Sequence, residues 1–426
     1  MSDAKAMLIT VCTSDDTDRS AFLKEAEIRS LINTLGIQVA CHISFSIKSE
    51  NPVSYIGKGQ AENALEYSRA FDVDEVIINA FLSPRQERYL ENLFQLPVSD
   101  REAVILSIFY SNAHSIEARL QIEKAEAIYL KPRLAGREAN LSQQRGGVRG
   151  AKGEGERKIE LERRRIDSRI KALEKEIEKI KRKRETQRKA RSQNGIFTFA
   201  LAGYTNAGKS TLLNRLTDSD VLAEDKLFAT LDTTTRSLKL PNGQKVLLSD
   251  TVGFISDLPH TLIEAFSSTL EEALNADAII IVADASHPDS IGCFRTALSV
   301  LEELGARSKV RLIAINKIDQ ASDDISLAYL RSQGIETAGI SARDGFGIDG
   351  LLGKMTAITD DSFADETFIF PISSPLRSSL YNDASIRGEE YTESDVIIKA
   401  RIRKELIGKY KKGPSDEEKP FTCHRP

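Results

Sequence analysis

The stretch GYTNAGKST, Gly203 to Thr211, limits the possible folds of this chain more than any other. It follows the apolar, β-prone run FTFALA and opens the helical pattern TLLNRL. The spacing G-x-x-x-x-G-K-[ST] suits a loop whose backbone N–H groups curl around phosphate oxygens. Such a loop needs a buried strand before it and a helix N-terminus after it, so it fixes a strand–loop–helix unit in an α/β fold. Both flanks are present, which makes a chance glycine-rich turn a poor reading. Gly203, Tyr204, Thr205, Asn206, Ala207, Gly208, Lys209, Ser210 and Thr211 are therefore expected to hold a nucleotide's phosphates. Lys209 is expected to reach the β- and γ-phosphates, and Ser210 to offer a hydroxyl to Mg²⁺.

Three later motifs have the order that a guanine nucleotide site requires. DTVG (Asp250, Thr251, Val252, Gly253) ends the strand pattern KVLLS. Its aspartate suits Mg²⁺ through a water, and the Gly253 N–H can sense a γ-phosphate. NKID (Asn316, Lys317, Ile318, Asp319) ends the strand pattern VRLIAI. Asp319 can accept both guanine donors, the ring N–H and the exocyclic amine; adenine would leave a buried carboxylate unpaired. SAR (Ser341, Ala342, Arg343) can set backbone N–H groups against the guanine oxygen. A threonine must also close over Mg²⁺ and the γ-phosphate. LFATLDTTTR offers Thr230, Thr233, Thr234 and Thr235, and spacing alone does not choose among them. After Gly253, where many GTPases place a water-orienting glutamine, this chain has Phe254.

With 426 residues and a 41% apolar fraction, the chain has room for two to four cored domains. Strand patterns AMLITVC, IQVACHISF and EVIINAF alternate with helical ones at Ala21–Leu35, Gln60–Phe71 and Pro84–Phe94. This predicts an N-terminal α/β domain over residues 1–112 with a mostly parallel sheet. Residues 113–192 read as a helical hairpin. Ile159, Ile166, Leu173 and Ile180 recur every seven residues, with Ile170 and Ile177 four after Ile166 and Leu173. That is an a/d seam, expected to close on Ile116 and Leu120. The glycine-rich RGGVRGAKGEGE, Arg145 to Glu156, forms the loop between the two helices. A P-loop GTPase domain is expected over 195–362, a small C-terminal α/β domain with FIFPIS and SDVIIKARI over 366–410, and a disordered tail over 411–426.

Net charge is −4, which gives no overall pull toward nucleic acid, but from Glu156 to Arg191 there are 16 Lys/Arg against 8 Asp/Glu. Charge alone reads first as a solvated coiled-coil face and second as a polyanion-binding arm. Cys12, Cys41, Cys293 and Cys423 are scattered without metal-ligand spacing, which fits a reducing compartment. The N-terminus lacks a signal peptide's pattern and AIIIVA is too short to span a bilayer. A cytoplasmic monomer is expected, with partial membrane association left open.

Together GYTNAGKSTLLN, LFATLD, DTVGFISDLPHTLIEAFSSTLEE, NKID and SARDGFGIDGL resemble the HflX family of ribosome-associated GTPases. YIGKGQ, Tyr55 to Gln60, resembles that family's N-terminal signature. The likeness spans nearly the whole chain and is weakest after Phe368. It implies that Phe228, Ala229, Thr230, Leu231 and Asp232 form the first switch. Thr230 would join Ser210 and Asp250 around Mg²⁺, and Lys209, Thr230 and Gly253 would carry catalysis. Asn206 matches a P-loop asparagine of potassium-stimulated GTPases, so K⁺ is a candidate second cation. The family also implies slow GTP hydrolysis to GDP and phosphate, stimulated by ribosomes. Its implied partner is the large ribosomal subunit with its rRNA, and its implied act is subunit splitting under stress. With the family in view, RNA contact becomes the first reading of the basic hairpin.

The family's loop pattern is roughly G-G-I-G-L-R-G-P-G-E, against GVRGAKGEGE here. Gly147, Gly150, Gly153, Gly155 and Glu156 match, while Val148, Lys152 and Glu154 depart. Loss of the proline at position 154 predicts a looser loop. Two other readings stay open: a switch protein that binds another protein or dimerises through the heptads, and an ATPase.

Overall fold

The computed structural model describes residues 4–14, 16–134, 152–193, 196–217, 227–228, 234–257, 259, 262, 267–321 and 324–411. The chain begins with β1 (Lys5–Thr13), α1 (Asp18–Thr34), β2 (Gln38–Ile47), α2 (Lys58–Ala70), β3 (Glu75–Ile78), α3 (Pro84–Phe94), β4 (Val98–Asp100) and α4 (Arg101–Asn112). Its four strands run parallel in the order β2-β1-β3-β4. β1 lies inside this sheet, and its alternation feeds two cores. Ala6 and Leu8 pack with Ile28, Leu31 and Ile32 of α1 and with Ile105 and Phe109 of α4. Met7 and Ile9 join Ala61 and Ala64 of α2 and Leu90 and Phe94 of α3 on the opposite face.

Next come α5 (Ile116–Leu130) and α6 (Lys152–Gln193). Four ion pairs, Glu117–Arg184, Glu123–Arg169, Lys124–Glu174 and Lys131–Asp167, run in opposite sequence directions, so the helices are antiparallel. The seam is real at its centre, where Leu173 is 0% exposed. One expected partner is absent from it: Ile116 is 74% exposed, while Ala118, Gln121, Ile122 and Ala125 are the buried residues of this part of α5. Ala118, Ile122 and Ala125 of α5 turn to the cluster that holds Ile105 and Phe109 of α4, and ion pairs from Glu117, Glu123, Lys124 and Lys131 reach α6. The glycine-rich loop also ends earlier than expected. Helix α6 starts at Lys152, so residues 152–156 are helical. Glycine costs a helix about 1 kcal/mol relative to alanine, but acidic residues are favoured in a first turn, and without proline every residue here keeps its N–H. Gly147, Val148 and Gly150 lie outside the described residues.

The third unit holds β5 (Phe197–Ala202), α7 (Lys209–Thr217), β6 (Thr234–Lys239), β7 (Lys245–Asp250), α8 (Ser267–Asn275), β8 (Ala278–Asp284), α9 (Ser290–Glu303), β9 (Val310–Asn316), α10 (Asp324–Arg331), β10 (Glu336–Gly339) and α11 (Ile348–Ser362). The strand order is β10-β9-β8-β5-β7-β6, with β6 antiparallel to β7 and the remaining pairs parallel. β5 and β8 are buried on both faces, which is why FTFALA and AIIIVAD read as continuous apolar runs.

A last sheet of β11 (Phe363–Pro371), β12 (Ala384–Tyr391) and β13 (Asp395–Arg403) is antiparallel in the order β11-β13-β12. Helices α12 (Pro375–Asp383) and α13 (Lys404–Lys411) supply Leu380 and Tyr410 to its core. Arg403 ties this sheet to the third unit through Asp277 and the Ile196 carbonyl (2.8 Å). Among the described residues Cys12, Cys41 and Cys293 are free thiols, and no helix is long and apolar enough to cross a membrane.

Candidate functional site

The loop Gly203–Gly208 leaves the C-terminal end of β5 and runs into α7, as its spacing requires. Gly208 has φ +89°, and a Cβ there would stand 2.3 Å from Asn316 Nδ2. That asparagine explains the closeness. It is 2% exposed, donates to the Ala207 carbonyl (2.9 Å) and accepts from the Ala342 N–H (2.9 Å). One side chain thus binds the phosphate loop to the SAR loop. Lys317 adds a second link, donating to the Asn206 carbonyl (3.0 Å) while pairing with Asp284 (2.7 Å). A third comes from Arg215 on α7, which donates to the carbonyls of Ala342 (3.1 Å) and Arg343.

Lys209 is buried, and its ammonium donates to the carbonyls of Tyr204 (2.9 Å) and Gly203 (3.2 Å). Burial pulls its pKa down to about 8, against the opposing pull of Asp250. Ser210 donates to Asp250 Oδ2 at 2.7 Å, and the Thr251 hydroxyl is anchored on the Leu201 carbonyl (2.6 Å). Among the described residues no three His, Cys, Asp or Glu side chains cluster as a metal cage. Ser210 and Asp250 instead offer a hydroxyl and a carboxylate oxygen, hard donors of the kind Mg²⁺ takes when phosphates complete its shell. Thr211 sits half-buried in the first turn of α7. Thr230, Ala229, Leu231 and Asp232 lie outside the described residues.

DTVG closes directly on the phosphate loop. The Phe254 N–H donates to the Gly203 carbonyl (3.0 Å), and the Thr205 N–H donates to the Phe254 carbonyl (2.7 Å). This two-residue bridge presses Gly253 so close that a Cβ on it would lie 2.8 Å from Thr205 Cα and 3.0 Å from Lys209 Nζ. Val252, Phe254 and Ile255 are buried in the apolar cluster that also holds Ile105 and Phe109 of α4.

Two of the expected site residues have surroundings that the motifs do not reveal. Asp319 is exposed rather than buried, and the neighbouring Ser341 hydroxyl, with Arg343 further off, lowers its pKa. Desolvation of this carboxylate must therefore come from the base it would meet, not from the fold. Ile318 instead packs inward, where a Cβ on Gly339 would lie 2.7 Å from its Cδ1. Phe228, expected at the nucleotide, turns away into the apolar cluster. Its ring lies edge-on to Phe109 (4.6 Å between centroids), and its carbonyl accepts from Asn112 Nδ2 (2.8 Å).

The sequence motifs gave no sign of a polar network that ties the N-terminal unit to this loop. The Tyr204 hydroxyl donates to Glu27 of α1, lies 2.8 Å from Ser256 Oγ and accepts the Ser256 N–H (2.8 Å). Burial, and then the Glu27 charge, push the tyrosine's pKa well above its usual range. Arg101, the first residue of α4, pairs with Glu27 and donates to the Ser256 carbonyl (3.0 Å) and Asn79 (3.0 Å). Glu27 and Arg101 belong to no motif; the signal open to a reader was Arg101 itself, a cation directly ahead of the apolar EAVILSIFY.

Family profiles and sequence relatives agree in kind with this geometry. Family profiles described as GTP-binding GTPase N-terminal, GTP-binding GTPase Middle Region and 50S ribosome-binding GTPase match residues 24–110, 112–191 and 198–317. The GTPase HflX of Lacrimispora saccharolytica is 40% identical over 406 residues, covering 95% of both chains. The GTPase HflX of Chlamydia pneumoniae is 40% identical over 390 residues, covering 90% of this chain and 83% of its own. Among solved structures, a GTP-binding protein from the hyperthermophilic archaeon Sulfolobus solfataricus in complex with GDP is 24% identical, with a TM-score of 0.45 over 84% of this chain and 99% of that one.

Proposed function

The chain belongs to the HflX family of GTPases, and from that premise we propose that it binds the large ribosomal subunit in its GTP form and splits ribosomes under stress. The observation that carries this reading is the joining of loop, switch and N-terminal unit. The residue after DTVG bridges the phosphate loop, and two residues further on Ser256 is held by Arg101 and Tyr204. A γ-phosphate that draws in the Gly253 N–H would therefore pull on Ser256 and, through it, on α1 and α4. The hairpin is continuous with α4 through a three-residue turn, so its basic face would move with them.

In this reading the Gly203–Ser210 loop cradles the phosphates, Lys209 neutralises the β- and γ-oxygens, and Gly253 holds the γ-phosphate. Asn316 braces the base pocket, Asp319 recognises guanine, and the Ser341–Arg343 backbone meets the guanine oxygen. Ser210 and Asp250, joined by Thr230, would hold Mg²⁺, whose contribution is charge neutralisation at the transferred phosphoryl group. Asn206 is the proposed protein ligand for K⁺. The site of action is the cytoplasm, where ribosomes are. Intrinsic turnover is expected at about 10⁻⁴ to 10⁻² per second, rising about 10³- to 10⁵-fold with the partner.

The test is sedimentation of the full chain with purified large subunits at several salt concentrations, with GDP or a non-hydrolysable GTP analogue. GTP turnover is measured on the same samples. Co-migration that requires the GTP analogue, with turnover raised by large subunits, is expected. Equal co-migration with GDP, or turnover unchanged by subunits, would overturn the ribosome reading while leaving the nucleotide site standing.

A further inference from the structure

Phe254 leaves the hydrolytic water without a side chain to orient it. The ring is 2% exposed within the apolar cluster, and both its backbone polar groups are engaged by Gly203 and Thr205. Within the cradle nearly every side-chain polar group already has a named partner. The Tyr204 hydroxyl, the Lys209 ammonium, the Ser210 and Thr251 hydroxyls and both ends of the Asn316 amide are bonded. The Thr205 hydroxyl differs from these. The residue is 6% exposed, and its Oγ1 is buried without a hydrogen-bond partner among the described residues. A fold rarely tolerates an orphaned buried hydroxyl unless a ligand or water meets it.

Its placement says which ligand. A Cβ on Gly253, the residue whose N–H is the proposed γ-phosphate donor, would lie 2.8 Å from Thr205 Cα and Cγ2 and 3.0 Å from Lys209 Nζ, so Thr205, Gly253 and Lys209 are immediate neighbours. Thr205 also borders a cavity of about 480 Å³ between α1, the phosphate loop and α9, shared with Leu227, Ser256 and Asp257. The residue thus stands between Gly253 and that space.

We propose that Thr205 is a catalytic residue that orients the attacking water in place of the missing glutamine; this rests on the GTPase reading of the site. A hydroxyl both donates and accepts. Thr205 Oγ1 accepts a hydrogen bond from the water, and its own O–H donates a hydrogen bond to a γ-phosphate oxygen without transferring its proton. The water oxygen then bonds to the γ-phosphorus, and the bond from that phosphorus to the β,γ-bridging oxygen breaks. The bridging oxygen leaves with GDP, and the water's proton ends on the released phosphate. Thr205 is neither ionised nor consumed.

The experiment compares Thr205→Val, Thr205→Ser and Thr205→Ala in the full chain, with fluorescent GDP and GTP-analogue binding and single-turnover GTP hydrolysis, with and without large subunits. Thr205→Val keeps the side chain's shape and removes the hydroxyl. It is expected to lower single-turnover hydrolysis about 10²-fold or more, the scale for losing one preorganised hydrogen bond, with GDP affinity within about twofold and GTP-analogue affinity falling much less than the rate. Thr205→Ser should keep most of the wild-type rate. If valine disturbs the loop enough to weaken GDP binding, the Ser-against-Ala pair carries the same comparison. Wild-type hydrolysis by Thr205→Val, or a loss confined to GTP affinity, would overturn the proposal. Failure of the wild-type chain to bind GDP at all would instead overturn the GTPase reading beneath it.

Discussion

Replacing Arg101 by methionine tests whether the N-terminal unit is fastened to the switch by charge. The guanidinium is 5% exposed and Glu27 16%, so both ions of this pair are largely out of water. Arg101→Met keeps much of the apolar stem but leaves the Glu27 carboxylate, among the described residues, with the Tyr204 hydroxyl alone, and it strips the Ser256 carbonyl and Asn79 of a donor. Removing one partner of a buried pair costs about 3 to 5 kcal/mol, most of it from the stranded charge. Replacing both ions with apolar groups is often neutral, so Arg101→Met combined with Glu27→Leu should recover most of that loss. The chain has no tryptophan, so urea unfolding is best followed by circular dichroism, with release of fluorescent GDP reporting the nucleotide unit separately. The double-mutant coupling is the informative quantity, because a chain of several units need not unfold in two states. A single-variant loss below about 1 kcal/mol, or a double variant no better than the sum of its parts, would show that the latch is not a buried ion pair of this kind.

Other consequences follow from single residues. The Lys209 pKa near 8 lies below the unfolded value of 10.5, so from about pH 8 to 10.5 the folded chain binds fewer protons than the unfolded one. This group therefore opposes folding most below pH 8, and its cost fades as pH rises to 10.5. Phosphates arriving at Nζ restore the charge, so calorimetry of GDP binding in buffers of different ionisation heat should show uptake approaching about half a proton at pH 8 and less at pH 7; no uptake at pH 8 would contradict the buried ammonium. Asp319→Asn should move preference from GTP toward a xanthine nucleotide in competition binding, and an unchanged preference would remove Asp319 from base recognition. Phe254→Ala should cost about 3 to 5 kcal/mol of stability in denaturant and weaken the response of turnover to large subunits. Leu173→Ala should cost about 2 to 5 kcal/mol in the same assay with GDP affinity unchanged, since the seam lies far from the cradle in sequence and packing.

What could be read from the residues, and what could not, follows a physical line. β5, β7, β8 and β9 were legible because each is a doubly buried run ending in a polar motif, and a parallel sheet forces those ends together. Asn316, Lys317 and the phosphate loop were therefore predictable as neighbours. Helix α4 was not. It is buried on several sides, between its own sheet and the nucleotide unit, so its hydrophobic residues lack the one-sided period of a surface helix. Strands β6 and β12 escaped for the opposite reason: each lies at a sheet edge and carries mostly polar residues. Ile116 was misassigned because heptad spacing on α6 shows that a partner face exists, not which face of α5 supplies it. Asp319 was assigned burial that the fold does not provide, because a motif specifies what a carboxylate can recognise and not how much water it has lost.

Phe254 shows how the two kinds of information combine. From sequence it is an absence, a residue that cannot hold a water where glutamine often does. In the fold its backbone is the bridge that binds the DTVG turn to the phosphate loop, and its ring is buried in the cluster that contains Phe109 and Phe228. A glutamine there would bring a polar amide into that cluster or would have to turn out of it, giving up the packing between units. The chain thus uses this position to couple its units and leaves water orientation to another group, for which Thr205 has the only unpartnered buried hydroxyl in the described part of the phosphate loop. A Phe254→Gln variant separates the two roles. It should raise ribosome-independent hydrolysis if the amide reaches the site, while loosening the contact between units; hydrolysis still slow, with full stimulation by large subunits, would show that the ring is not what couples them.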